Sequence, residues 1–144
     1  MVLDGGPDCM TTQRLFLVTA LVLLGCSTVA STPHPADGNR AAVEAYFHGF
    51  LTGDFSTVPL APDVIFTARG SVKGETQLRE ELRGMANTTR NVVVHQISVT
   101  GNHACAEITL ESKSGKLTRF VDCFDFSSGN IIAIRVYLAP AGQP

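Results

Sequence analysis

The stretch F-V-D-C-F-D-F, Phe120 to Phe126, sets an acid where acids seldom sit. Phe120, Asp122, Phe124 and Phe126 share one parity, and residues of one parity in a strand share a face. A carboxylate buried among phenylalanines without a partner is costly, so the group pairs, takes up a proton or does chemistry. His95 lies in V-V-V-H-Q-I-S-V with the parity of Val93, Ile97 and Val99, which reads as an inward face. A histidine there could trade protons near neutral pH, while one at a sheet rim would only bond a backbone carbonyl. His48 reads as surface, His34 falls in a polar segment and His103 at a turn. None has metal-ligand spacing with another His, Cys or acid, so no metal and no cofactor is expected.

The elements that must position these groups follow from periodicity. Asp37, Gly38 and Asn39 can cap a helix whose apolar positions are Val43, Tyr46, Phe47, Phe50 and Leu51, three and four apart, with Gly53 as its left-handed end. V-I-F-T-A, Val64 to Ala68, reads as a short strand, and Gly70 and Gly74 bracket a turn. Glu75 to Met85 reads as a second helix with Leu78, Leu82 and Met85 facing inward. Strands are expected over Val92–Val99, Ala104–Glu111, Leu117–Phe126 and Ile131–Leu138, with Gly101-Asn102, Ser114-Gly115 and Gly129-Asn130 as hairpin turns. Helices first and a strand meander after is an α+β arrangement, with helices on one face of an antiparallel sheet.

One register can be set in advance. If Ser112 pairs with Lys116 around the intervening loop, Ala104 opposes Phe124, Ala106 opposes Asp122 and Ile108 opposes Phe120. Small alanines across from Asp122 leave space, which favours a pocket over a filled core. On the other face Thr109 opposes Arg119 and Cys105 opposes Cys123. Directly opposed residues have Cα atoms about 4.5–5.5 Å apart, within disulfide range, so these thiols either bond or sit as two small buried hydrophobes. No Cys–His–acid arrangement is evident. Arg119, near Glu107, Thr109 and Glu111, belongs to an outer face that water or a second copy of the chain could cover.

Composition bounds the rest. The chain has 144 residues, 44% of them hydrophobic, a net charge of −2 and no tryptophan, which fits one small domain with an appendage. No basic stripe suggests nucleic acid. From Met10 the chain reads M-T-T-Q-R and then an apolar run of about eleven residues up to Cys26, too short for the roughly 20 needed to span a bilayer. Asp4 and Asp8 precede Met10 without a basic residue, which points to Met10 as the start of translation. Leu23, Leu24, Gly25 and Cys26 resemble the lipobox of bacterial lipoproteins, in which the cysteine is lipidated and becomes the mature N-terminus. The alternative is an ordinary secretory signal cleaved near Ala30. The expected layout is a signal peptide at 1–25, a lipidated Cys26 with a tether to 38, a domain over 39–139 and a tail at 140–144. The expected address is the cell envelope, with the chain anchored to the membrane by lipid on the extracytoplasmic side.

With Y-F-H-G-F-L-T-G-D (Tyr46 to Asp54), the helix after V-K-G, and F-V-D-C-F-D-F followed by G-N-I-I-A-I, the domain resembles the nuclear-transport-factor-2-like superfamily. That superfamily includes SnoaL-like polyketide cyclases and ketosteroid isomerases. The resemblance spans roughly Ala41 to Leu138 and implies a cystatin-like fold, a curved sheet wrapped round a long helix and enclosing a cone-shaped pocket, often in a dimer. It places Asp122 where the isomerases keep a protonated aspartic acid, and Tyr46 where they have an oxyanion-hole tyrosine. The isomerase base would fall near Ala68, which cannot accept a proton, and Arg69 beside it is no base. His95 would then stand in for the base, as in the Asp/His pairs of related cyclases and dehydratases. Three readings result. The first is a small apolar ligand held without turnover in a cone lined by Phe66, Ile108, Phe120, Phe124, Ile134 and Val136. The second is an isomerase, cyclase or dehydratase using Asp122, Tyr46 and His95. The third is an accessory module acting through its outer sheet face.

Overall fold

A computed structural model describes residues 35–139 of the chain. The expected signal segment, Cys26, His34, most of the expected tether and the expected tail at 140–144 lie outside the described residues. Helix α1 runs Pro35–Thr52, followed by strand β1 (Leu60–Thr67), strand β2 (Ser71–Lys73) and helix α2 (Glu75–Thr88). Strands β3 (Thr89–Thr100), β4 (His103–Ser112), β5 (Leu117–Ser127) and β6 (Asn130–Leu138) complete the chain. Among the described residues no helix is long and apolar enough to cross a membrane.

α1 begins at Pro35, so Pro35–Gly38 at the end of the expected tether form its first turn. A proline is tolerated there because the first N–H groups of a helix have no intrahelical partner. Val43, Tyr46, Phe47 and Phe50 form the buried stripe, whereas Leu51, read from spacing as apolar and inward, is exposed. The helix ends where Gly53, at a φ of 75°, turns its N–H back to the carbonyl of Gly49 at 2.8 Å. Only a residue free of a Cβ takes this left-handed geometry without strain. α2 buries Leu78, Leu82 and Ala86.

The six strands form one curved, unclosed sheet in the order β2-β1-β6-β5-β4-β3. β3 through β6 pair as an antiparallel meander, as the hairpin turns require. The register around Ser112 and Lys116 matches that derived from the loop, with Ala106 opposite Asp122 and Cys105 opposite Cys123. One pairing departs from the antiparallel expectation. β1 lies parallel to β6, because α2 and the meander carry the chain between them and return it in the same direction. The segment Ser71–Lys73, read as part of a turn, is a short strand folded back on β1.

α1 packs across the concave face against β3 and β4. Its N-terminal turns are tied to that edge by Asn39, whose amide donates to the carbonyl of Gly101 at 3.0 Å, and by Arg40, which donates to the carbonyl of Ile97 at 2.9 Å. β3 is an edge strand, so these side chains cover backbone acceptors that no further strand could satisfy. The core joins α1, α2 and the inner faces of β1, β3, β4, β5 and β6.

Candidate functional site

Asp122 lies on the concave face of β5, 4% exposed, between Ala106 of β4 and Val136 of β6. Its Oδ1 is buried, and no described residue offers it a hydrogen bond. Burial pushes the carboxyl up to about 7, since no cation stands close enough to compensate the lost hydration. Below about pH 7 the group is therefore a neutral acid, able to donate one hydrogen bond and to accept another.

Tyr46 of α1 approaches from above. Its ring is packed edge-on against Phe47, Phe50, Phe55 and Phe124, with centroids 5.1 to 6.4 Å apart. Burial first, and then the charge of Asp122, push its phenol well above the ordinary tyrosine value. The carboxylate of Asp122 thus disfavours ionisation of the phenol, whereas burial alone raises Asp122.

Beside them opens a cavity of about 410 Å³. Phe66, Val92, Ile108, Phe120 and Val136 give it apolar walls, and Asp122 stands among them. Its mouth is made by the exposed residues Ala68 to Ser71 of the β1–β2 hairpin and by Glu81 and Met85 of α2. The volume suits a small organic molecule, and apolar walls with a few polar groups are the usual pattern of a ligand pocket.

Placement of the expected residues is uneven. Phe66, Ile108, Phe120, Val136 and Asp122 line the cavity. Phe124 and Ile134 share their face but are wholly buried in the core, Phe124 under the rings of Tyr46 and Phe47. Tyr46 likewise belongs to the aromatic cluster and not to the cavity wall. His95 is a clear correction. A bulge between Val94 and Gln96 breaks the pairing with β4, so the inward series runs Val92, Val94 and then Ile97, Val99. His95 is the extra residue and turns to the outer face, where a ring nitrogen meets the Thr109 hydroxyl at 2.8 Å. It cannot serve as a base to Asp122. Ala68, where a base was sought, does line the mouth. Phe50, Arg69, Glu81 and Met85 line the cavity without having been singled out for it. The helical spacing of Glu81 with Leu78 and Leu82 carried no sign that its own side of α2 borders a cavity.

The convex face holds a second set of polar groups. Cys105 and Cys123 are joined by a disulfide there, their Cα atoms 4.1 Å apart. Two residue pairs along the ladder His103 Nδ1 meets Asp125 Oδ1 at 2.7 Å, and the other carboxylate oxygen accepts from Arg135. Desolvation raises the Asp125 carboxyl, but the hydrogen bonds from His103 and Arg135 outweigh it and hold the group below its ordinary value. Arg119 is paired with Glu107. Among the described residues no group of His, Cys, Asp and Glu is arranged to hold a metal ion.

The SnoaL-like domain family matches residues 32–134. No curated protein matches the chain by sequence. Several solved structures are similar in fold. An LEH-like epoxide hydrolase from M. tuberculosis superposes with a TM-score of 0.65 at 24% identity, over 74% of this chain and 86% of that one. An NTF-2-like protein of unknown function from Burkholderia xenovorans LB400 gives 0.66 at 20% identity, over 75% and 88%. A protein with cystatin-like fold from Methylobium petroleophilum PM1 gives 0.66 at 18%, over 75% and 80%. At these identities the likeness concerns the fold alone.

Proposed function

This chain belongs to the SnoaL-like domain family, within the nuclear-transport-factor-2-like superfamily, and on that premise we propose that it binds a small apolar or amphipathic molecule in its cavity without turning it over. The observation that carries the reading is Asp122, a buried acid whose Oδ1 has no partner among the described residues, set among the apolar walls of a cavity whose other polar side chains, Arg69, Ser71 and Glu81, are exposed residues at its mouth. A ligand with one hydrogen-bonding group would satisfy that oxygen while its body displaces water from Phe66, Ile108 and Phe120. Turnover of the isomerase kind needs a base beside the acid, and losing one costs roughly 10²–10⁴-fold. His95 faces away and Ala68 has no titratable group, so the reading with Asp122, Tyr46 and His95 as catalysts lacks its proton acceptor.

The test is saturable binding of N-phenyl-1-naphthylamine, a neutral apolar probe with a single N–H, to the chain from Ser27 onward. One site is expected, with affinity lost in Ala68→Trp, which would fill the mouth from an exposed position, and weakened in Asp122→Leu. Binding that survives both substitutions removes the cavity as the site.

The cellular side of the proposal is a lipid anchor at Cys26 on the outer side of a membrane. Palmitate labelling of the whole chain, abolished in Cys26→Ser with release from the membrane, is the expected result. Unlabelled wild-type protein recovered free of membrane would overturn it.

A further inference from the structure

We propose that the convex sheet face carries a second site, a dithiol–disulfide exchange centre in which His103 and Arg135 serve the Cys105–Cys123 bond. A disulfide that only staples two strands needs neither a base nor a cation beside it. This one has both, placed by the sheet register. Arg135 of β6 is the ladder partner of Cys123. His103 lies two residues before Cys105 on the same face of β4, with a side chain 72% exposed. That spacing is about 6.7 Å along the strand, which sets the imidazole beside the path of a thiol approaching Cys105. Asp125 accepts from His103 at Nδ1 and so fixes the ring with Nε2 as the nitrogen that can take a proton. Both sulfurs' residues are only half-buried, so the bond is reachable without unfolding.

The other polar groups of this face have partners: Tyr137 interacts with the Arg135 guanidinium, and Glu111 is paired with Arg90. Asp125 is held between His103 and Arg135, and Glu107, two residues beyond Cys105, is paired with Arg119. On the β3 side the neighbour of Cys105 is Ser98, which is uncharged.

The chemistry balances with two equivalents of a thiol, RSH. The first gives its proton to His103 Nε2, and its sulfur attacks Cys105 Sγ. The Cys105–Cys123 bond breaks, and its electron pair leaves on Cys123 Sγ as a thiolate facing Arg135. A second thiol attacks the sulfur of R in the mixed disulfide, which frees RSSR and leaves Cys105 reduced. The two thiol protons end on Cys105 and Cys123. A leaving thiolate that is stabilised leaves faster, and a thiol deprotonated on arrival attacks faster.

The experiment uses the full chain with reduced glutathione as the probe thiol, under native conditions, with free cysteines counted by alkylation and mass. The expected result is complete exchange with circular dichroism unchanged. Arg135→Met and His103→Gln should each slow it by about tenfold or more, while Arg135→Lys, which keeps the charge, restores most of the rate. His103→Gln should also change the shape of the rate's pH profile, which a merely structural role would not do. Both altered residues are at the surface, and unchanged melting of the variants separates a chemical role from a structural one. Wild-type rates in both variants, or reduction seen only in urea-unfolded chain, overturn the proposal.

Discussion

Asp122→Asn should make the protein more stable at pH 8 and leave it nearly unchanged at pH 4. The folded carboxyl titrates at about 7, whereas an aspartate in the unfolded chain titrates near 3.8. The sign follows from proton binding. Below 3.8 both states hold the proton and stability is flat. Between 3.8 and about 7 only the folded state holds it, so raising the pH favours the unfolded chain. Above about 7 both states are ionised and the penalty stays constant. Each pH unit in that window costs about 1.4 kcal/mol, so about 4 kcal/mol separates its two ends. Asparagine has nearly the same shape and no titration, so it pays none of this. The assay is urea unfolding of both proteins from pH 3.5 to 8.5, read as the difference between them, which cancels every other titrating group. A difference that rises by several kcal/mol and levels off near pH 7 is expected. A difference flat from pH 4 to 8 would refute the dry, unpaired carboxyl on which the ligand proposal rests.

Gly49→Ala should destabilise by about 1–3 kcal/mol in thermal melts, because the new methyl would stand 2.4 Å from the buried ring of Phe55. Gly38→Ala in the same helix meets no atom within 4 Å and should stabilise by up to about 1 kcal/mol. Phe124→Ala should cost about 3–5 kcal/mol in urea, as a core ring with no exposure, against about 0.5 kcal/mol or less for His95→Ala on its exposed bulge. Replacing Cys105 and Cys123 by serine should cost about 2–4 kcal/mol of stability in urea unfolding, with the folded circular dichroism kept, since nine residue pairs already join β4 to β5.

Much of the fold was legible because its strongest signals are local. The loop between Ser112 and Lys116 fixes a register, and the register carries Ala106 to Asp122 and Cys105 to Cys123 with no further information. The left-handed Gly53 ends α1, and the spacing of Leu78 and Leu82 identifies α2. What stayed hidden depends on contacts between distant segments. The parallel pairing of β1 with β6 leaves no mark within either strand, and Ser71–Lys73 is too short to show a period of its own.

The site was legible only as far as parity could carry it. Alternation says which face of a strand a residue occupies, and it holds until a bulge adds one residue. β3 has such a bulge at His95, with nothing in V-V-V-H-Q-I-S-V to announce it, and so the histidine exchanged faces with its neighbours. Parity is also silent about position along the strand. Phe120, Asp122 and Phe124 all point to the concave side, but the covering changes between them. Over Phe124 lies α1, with Tyr46 and Phe47 pressed against the ring. Over Phe120 the cover is the β1–β2 hairpin and the Glu81–Met85 side of α2, which stand off and leave the cavity. Asp122 sits at that boundary, buried by the packed side and facing the open one. Its raised proton affinity and its lack of a partner therefore come from one cause, the place along β5 where helix cover gives way to space.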